Sequence, residues 1–406
     1  MITFEGVTKR YPDGTVALDD VSLECPTGRI TVFVGTSGGG KTTALRTINR
    51  MVEPTGGRVL IDGRDVLERK SSELRRGIGY VIQHAGLFPH RTIEDNIATV
   101  PYLLRWNRKK ARDTAHELME RVGLEPGMAK RYPFQLSGGQ QQRVGVARAL
   151  AADPPIMLMD EPFSAVDPVV RHELQEEFLR LQAELHKTIV FVTHDIDEAI
   201  KLGDRIAVFR TGGRLVQVAS PEDILARPAD DFVAGFIGHD RGIRRLSFIP
   251  ATDAPLTERS VLAADAPVAD ARAAGDEWTL VIDADRRPLG WASAEVLPAS
   301  GTVGDARLAP IGHTFDIEGD SVRAALDAAI LSPSGRAVGV DGAGRLVGVA
   351  DQADLSATIT AAVAAEAAEA EAVSAGAAAG AAADGADPKD AGSGDRPAAG
   401  ADGGGG

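Results

Sequence analysis

Gly35-Thr36-Ser37-Gly38-Gly39-Gly40-Lys41-Thr42-Thr43 decides the fold. The spacing is G-x-x-x-x-G-K-T, which cradles phosphate when a strand precedes it and a helix follows. Both flanks fit: residues 29–34 are an apolar, β-branched run, and residues 42–51 have a helical pattern. The glycines let successive backbone N–H groups converge on phosphate oxygens. The helix start adds the positive end of its dipole. Lys41 contributes a point charge, and the Thr42 hydroxyl suits Mg²⁺.

Further along the chain, residues 78–82, 156–159, 188–192 and 205–209 read as strands, several of them apolar throughout, as in a sheet covered on both faces. Helical patterns at 109–122, 140–151 and 169–185 alternate with them, which predicts an α/β domain around a parallel sheet. Ile156-Met-Leu-Met-Asp160-Glu161 is an apolar strand ending in two carboxylates. Such a strand end lies beside the phosphate loop, where Asp160 suits Mg²⁺ and Glu161 suits polarising a water.

Between these two motifs lies Leu136-Ser137-Gly138-Gly139-Gln140-Gln141-Gln142-Arg143. It resembles the signature of ABC-transporter ATPases, in that family's order. Tyr11 resembles the family's adenine-stacking aromatic, Gln83 its Q-loop glutamine, Ser164-Ala-Val-Asp167 its D-loop and Thr193-His194-Asp195 its switch-histidine loop. The resemblance covers residues 1–240. It implies a P-loop NTPase fold with a RecA-like core and a helical subdomain. It also implies ATP and Mg²⁺ as cofactors, with the phosphates held by Gly35, Thr36, Ser37, Gly38, Gly39, Gly40, Lys41, Thr42 and Thr43. Thr42, Gln83 and Asp160 would organise Mg²⁺, Glu161 would act as general base, and His194 would contact the γ-phosphate. Ser137, Gly138, Gly139 and Gln140 begin a second anion-binding helix. By resemblance, that helix and Asp167 complete the site of a partner in a head-to-tail homodimer.

Composition bounds the rest. The chain has 406 residues, a net charge of −14 and one cysteine. The acidic balance speaks against nucleic acid as a partner, and one cysteine excludes a disulfide framework. No apolar run reaches the roughly 18 residues of a membrane span. Residues 1–14 are too mixed and charged for a secretory signal. The chain is therefore expected to be cytoplasmic and to meet a membrane only through a partner; the ABC resemblance implies integral-membrane permease subunits in that role, at the membrane's cytoplasmic face. Three zones differ in composition, with net charges of about −2 (1–240), −6 (241–361) and −6 (362–406). The last zone is Ala, Gly and acidic residues without an aromatic, and is expected to be disordered. An Ala/Glu-rich helix is possible at its start.

The middle zone carries an internal repeat. Trp278-Thr-Leu-Val-Ile-Asp283 with Pro288-Leu-Gly290 parallels Arg336-Ala-Val-Gly-Val-Asp341 with Leu346-Val-Gly348, about 58 residues on. This α+β pair resembles a tandem CBS module. Two departures speak against adenosine-nucleotide binding there: Asp351 replaces a hydroxyl in the second copy, and Val296 replaces an Asp in the first. Arg241, Arg244, Arg245, Arg286 and Arg287 are candidate contacts for anionic lipid in a salt-sensing role. A solvated face is the plainer reading of these charges.

Residues 78–97 and 138–154 resemble the quaternary-amine importers for glycine betaine, carnitine, choline and proline. The implied function is the energy-coupling ATPase of such an importer, working with permease subunits and a substrate-binding protein or domain. Residues 84–108, with Leu87, Phe88 and Ile97, would then form the groove for a permease helix. An importer for another small polar solute, or a soluble ABC ATPase unconnected with transport, remains the alternative.

Overall fold

The computed structural model describes residues 1–358 other than 84, 85, 165, 239 and 259. The acidic tail expected at 362–406 lies outside the described residues. The chain divides into two units, the first Met1–Phe248 and the second from Ile249.

In the first unit, β1 (Ile2–Arg10) and β2 (Val16–Cys25) pair antiparallel. β3 (Ile30–Gly35) enters a second sheet, and helix α1 (Lys41–Ile48) leaves its end. β4 (Gly56–Ile61) and β5 (Arg64–Asp65) return to the first sheet, whose order is β2-β1-β4-β5. The second sheet is completed by β6 (Ile78–Val81), β7 (Ile156–Asp160), β8 (Thr188–Val192), β9 (Arg205–Arg210) and β10 (Arg214–Ala219). Its order is β10-β9-β3-β8-β7-β6, and all pairs are parallel except β9–β10.

This sheet is apolar on both faces because both are covered. Val32, Val34, Met157, Met159 and Phe191 belong to one core, shared with helices α2 (Arg108–Arg121), α3 (Gly138–Leu150) and α4 (Pro168–Leu185). Phe33, Leu158, Val190 and Phe209 belong to the other, shared with α1 and the antiparallel sheet. The alternation along β3 follows from the two-residue period of a strand. Phe33 sits between Phe4 and Phe209, with ring centroids 6.1 and 5.3 Å away. The strand register sets Phe33 and Asp160 opposite Val192. The segments leaving β3, β6, β7 and β8 therefore emerge along one edge, the carboxyl ends of neighbouring parallel strands.

The antiparallel sheet was not foreseen. Two of its strands lie outside the helix–strand alternation, and strand β1 is broken by register shifts that blur its period. The unit boundary also falls later than residue 240. Helix Arg241–Arg245 belongs to the first unit, where Arg244 pairs with Asp197 at 2.8 Å and with Asp240 at 3.4 Å. Arg244 is therefore withdrawn as a lipid contact. Ile97 is a second correction: it is fully buried in the core and lines no groove.

The second unit repeats one pattern. β11 (Val261–Ala263), α6 (Val268–Ala274), β12 (Trp278–Ile282) and β13 (Pro288–Ser293) make the first copy. β14 (Thr314–Asp316), α7 (Val322–Leu331), β15 (Arg336–Val340) and β16 (Leu346–Asp351) make the second. The hairpins match residue for residue at an offset of 58: Leu280 faces Trp291 as Val338 faces Val349, and each ladder shifts register before its last pair. The unit of repetition is larger than the strand–turn–strand seen in the sequence: each copy adds a short parallel strand and a helix, of which only the helix before the second hairpin is legible, as a helix-like segment over 321–331. Leu280, Trp291, Val338 and Val349 share one core. Arg336 ties the copies, donating to Asp351 at 2.7 Å and to the Trp278 carbonyl at 3.2 Å. Asp351, the residue that departs from the nucleotide-binding pattern, is thus occupied within the unit.

Candidate functional site

The loop between β3 and α1 is shaped by two close approaches. A Cβ on Gly35 (φ +143°) would lie 1.9 Å from the Phe209 carbonyl oxygen, and one on Gly40 (φ +83°) 2.0 Å from that of Ala17. Only glycine fits either place. No side chain caps α1, so its first-turn N–H groups are left for an anion. Lys41 is almost buried, and its Nζ donates to the Gly35 and Thr36 carbonyls at 2.8 and 2.9 Å. Burial pulls its pKa below the usual lysine value, with the Glu161 and Asp160 carboxylates opposing.

Asp160, the buried last residue of β7, meets this loop from the side. Thr42 Oγ1 donates to its Oδ1 at 2.9 Å, and Arg46 Nη2 stands 3.4 Å from Oδ2. Arg46 is a site residue that the motifs did not single out. It lies within α1 five positions after Lys41, and only the fold reveals its partner. The hydroxyl–carboxylate pair suits a hard cation. Among the described residues no group of three or more His, Cys, Asp or Glu side chains is placed to hold a metal. A Mg²⁺ here would draw its remaining oxygens from phosphate or water.

Glu161 is the next residue, and its backbone is left-handed, with φ +47°. Such a conformation costs on the order of 1–3 kcal/mol in a non-glycine residue. Its N–H donates to the Val192 carbonyl at 2.9 Å, and the Ser164 hydroxyl donates to its own carbonyl at 2.9 Å. The turn aims the carboxylate between two other strand ends. Gln83 Nε2 donates to Oε2 at 3.0 Å, and His194 Nδ1 lies 3.4 Å from Oε1. Three of the residues singled out by sequence thus converge, one from each of the segments after β6, β7 and β8.

The rest stand apart. Tyr11 is exposed, with Lys9 Nζ 5.3 Å from its ring centroid. Ser137 caps α3: its hydroxyl accepts the Gln140 N–H at 3.3 Å, while Gln140 Oε1 accepts the Ser137 N–H at 3.0 Å. Asp167 is exposed immediately before α4.

A groove of about 680 Å³ opens in the helical part of this unit, lined by Phe88, Arg91, Tyr102, Leu103, Trp106 and Arg112. Phe88 belongs to it as expected. Leu87 is half-buried against the core instead. Beneath the groove, Glu94 is buried at the start of a short helix and receives Lys130 and His116. Among the described residues no helix is long and apolar enough to cross a membrane.

Comparison with known proteins identifies relatives of the chain. Residues 18–164 match the family described as ABC transporter. The choline transport ATP-binding protein OpuBA of Bacillus subtilis is 54% identical over 247 residues, covering 61% of this chain and 65% of that one. The osmoprotectant import ATP-binding protein OsmV of Salmonella typhimurium is 46% identical over 330 residues, covering 79% and 85%. The chain thus spans just under two thirds of the choline relative's length. Among solved structures, the dimeric post-hydrolysis state of the ATP-binding cassette MJ0796 bound to ADP and Pi aligns with a TM-score of 0.50 at 35% identity, covering 54% of this chain and 99% of that one.

Proposed function

The chain belongs to the ABC transporter family of ATP-binding proteins, and from that premise we propose that it is the ATP-hydrolysing, energy-coupling subunit of an importer for glycine betaine or a related quaternary-amine osmoprotectant. The observation that carries the reading is the convergence on Glu161 of Gln83 and His194, beside a phosphate-binding loop whose Thr42 already touches Asp160.

The residues fit ATP and Mg²⁺. The Gly35–Thr43 loop and the uncapped start of α1 hold the phosphates, and Tyr11 offers its exposed ring to the base. Thr42 and Asp160 supply oxygens for Mg²⁺, which when bound would neutralise phosphate charge. Glu161 accepts the proton of the attacking water. His194 and Gln83 fix the two oxygens of that carboxylate, and report on the γ-phosphate through it. Ser137 and the start of α3 serve the nucleotide of a second copy, in a C2 arrangement with two sites. Asp167 reaches the same interface. Binding of ATP then favours the closed dimer and hydrolysis loosens it.

A permease helix occupies the groove around Phe88 and Trp106, placing the subunit at the cytoplasmic face of a membrane. The solute itself meets the permease and a binding protein or domain. The second unit serves as a CBS-like regulatory module. The relatives named for choline and osmoprotectant transport support the solute class. The test is uptake of labelled glycine betaine into proteoliposomes holding this chain and its permease, with ATP inside. Uptake that needs ATP and disappears in Glu161→Gln supports the reading. ATP hydrolysis without uptake of any quaternary amine would refute the solute class and leave the ATPase.

A further inference from the structure

One buried carboxylate of the first unit takes no part in the chemistry above. Glu198 lies in the first turn of α5 (Ile196–Leu202) and is only 6% exposed. Its Oε2 accepts the Thr193 hydroxyl at 2.7 Å, and its Oε1 accepts Gln175 Nε2 at 3.3 Å. Gln175 is equally buried and belongs to α4, the helix that begins directly after Asp167. The Thr193 hydroxyl has a second partner, since it accepts the Asp195 N–H at 3.0 Å. Asp195 in turn accepts the Glu198 N–H at 3.3 Å. His194 is therefore flanked by two residues that are both fastened to Glu198.

Burial pushes the pKa of Glu198 up, and the Thr193 hydrogen bond opposes this only in part. Among the described residues no cation stands within ion-pair distance of it. Arg171 and His194 act on it from farther off and offset its burial only in part, and a carboxylate so buried is disfavoured against a packed apolar side chain. Helix propensity gives no reason for it, because the Asp195 side chain already caps α5. What Glu198 does supply is a rigid link between the 193–195 loop and α4.

We propose that Glu198 is a positioning residue, a buried strut that holds the loop carrying His194 against the helix that follows Asp167. It rests on the reading of His194 and Glu161 as ATP-hydrolysis residues, and adds a path between them and the segment expected at the partner's site. Without the strut the 193–195 loop relaxes and His194 drifts from Glu161, while the phosphate loop, on another strand, keeps its shape.

The test is a double-mutant cycle in the full chain, with steady-state ATPase, equilibrium binding of a fluorescent ATP analogue and thermal melting. Misplacing a reacting group by about 1 Å can cost about 10²-fold in rate. Glu198→Ala should therefore lower kcat by roughly 10–100-fold and change the nucleotide Kd by less than about twofold. Glu198→Gln should recover to within about threefold of wild type, because its amide can accept from Thr193 and donate to a turned Gln175 amide. In a His194→Ala background, Glu198→Ala should add less than about twofold, as expected for residues that act through one another. Three results would overturn the proposal: wild-type kcat in Glu198→Ala, no rescue by glutamine, or a loss in His194→Ala as large as in wild type. If Glu198→Ala gives no cooperative melt, Thr193→Val replaces it in the cycle under the same criteria. A wild-type chain without ATPase activity, or His194→Ala equal to wild type, would overturn the ATPase reading itself.

Discussion

Replacing Glu161 by glutamine removes one charge and almost no volume. In the structure its two oxygens face two donors, Gln83 Nε2 at 3.0 Å and His194 Nδ1 at 3.4 Å. The amide keeps one acceptor and turns an N–H₂ toward the other donor, so one contact is lost and no base remains. A positioned general base contributes about 10²–10⁴ in rate, which corresponds to roughly 2.7–5.4 kcal/mol of barrier at about 1.36 kcal/mol per decade. Binding should move the other way. The Glu161 carboxylate opposes the phosphate charge and supports the charge of Lys41, and of these the repulsion from phosphate disappears while Lys41 keeps Asp160. The expected outcome is a kcat lower by at least about a hundredfold, ATP affinity equal or tighter, and a dimer that persists in ATP on size exclusion. Single-turnover hydrolysis with radiolabelled ATP separates the chemical step from product release. A single-turnover rate within about threefold of wild type would mean that Glu161 is not the base, and that its strained turn serves another purpose.

The turn itself gives a stability prediction. At a left-handed position glycine avoids a steric cost of about 1–2 kcal/mol but loses about 0.4–1 kcal/mol through the unfolded chain. Glu161→Gly should therefore melt at or above Glu161→Ala, the reverse of the order at an ordinary site. Glu94 and Glu198 should respond to acid in opposite senses. For Glu94, burial alone would raise the pKa, but the hydrogen bonds from Lys130 and His116 outweigh it and hold it below the ordinary 4.5. Its contribution to stability is present above that value and is lost as pH falls through the depressed one, so the gap between wild type and Glu94→Gln should close on acidification. The pKa of Glu198 is raised, so the folded state holds its proton more tightly than the unfolded one. Wild type should lose stability relative to Glu198→Gln as pH climbs above 4.5, and denaturant melts carried well to either side of pH 4.5 read both slopes, that of Glu94 on the acid side. In the second unit, Arg336→Ala breaks the bonds to Asp351 and the Trp278 carbonyl. A loss of about 1–3 kcal/mol should appear as faster amide exchange in strands β12 and β15.

The parallel sheet was legible because its strands are short apolar runs between helical patterns, and because β3 and β7 end in the phosphate loop and the carboxylate pair. Gly35, Asp160 and Glu161 could be placed beside one another from the two motifs, whereas Gln83 and His194 joined them only through the family resemblance. The antiparallel strands could not, since β1 alternates imperfectly and its pairing with β4 skips across three intervening elements. Arg46 and Glu198 were invisible for a related reason. Each sits at an ordinary helical position, and its partner, Asp160 or Gln175, comes from a distant segment. Sequence spacing finds residues that share a loop, whereas contacts across a sheet edge depend on strand order. In the second unit the reverse held. The hairpins repeat closely enough to be seen, while the short strands β11 and β14, three residues each, carry too little pattern to be read.

The groups assigned to the nucleotide are, in this structure, satisfied by one another. Lys41 rests on the Gly35 and Thr36 carbonyls, Thr42 on Asp160, Gln83 on Glu161, and Ser137 on Gln140. Nucleotide binding would then exchange hydrogen bonds rather than create them, and an exchanged bond contributes modest net free energy, about 0.5–1.5 kcal/mol for a neutral pair and about 1.5–3 kcal/mol where a charged group takes part. Among the described residues the first-turn N–H groups of α1 have no such stand-in, and they would add to the affinity of a single subunit without exchange. In the proposed dimer the signature helix of a second copy would add a further set of donors on closure. On the proposed reading, such an arrangement would reserve part of the phosphate interaction for closure, where an energy-coupling subunit needs it. The internal partners also set what a substitution does. Removing Thr42 frees Asp160 for Arg46 alone, so its effect on metal dependence should exceed its effect on folding.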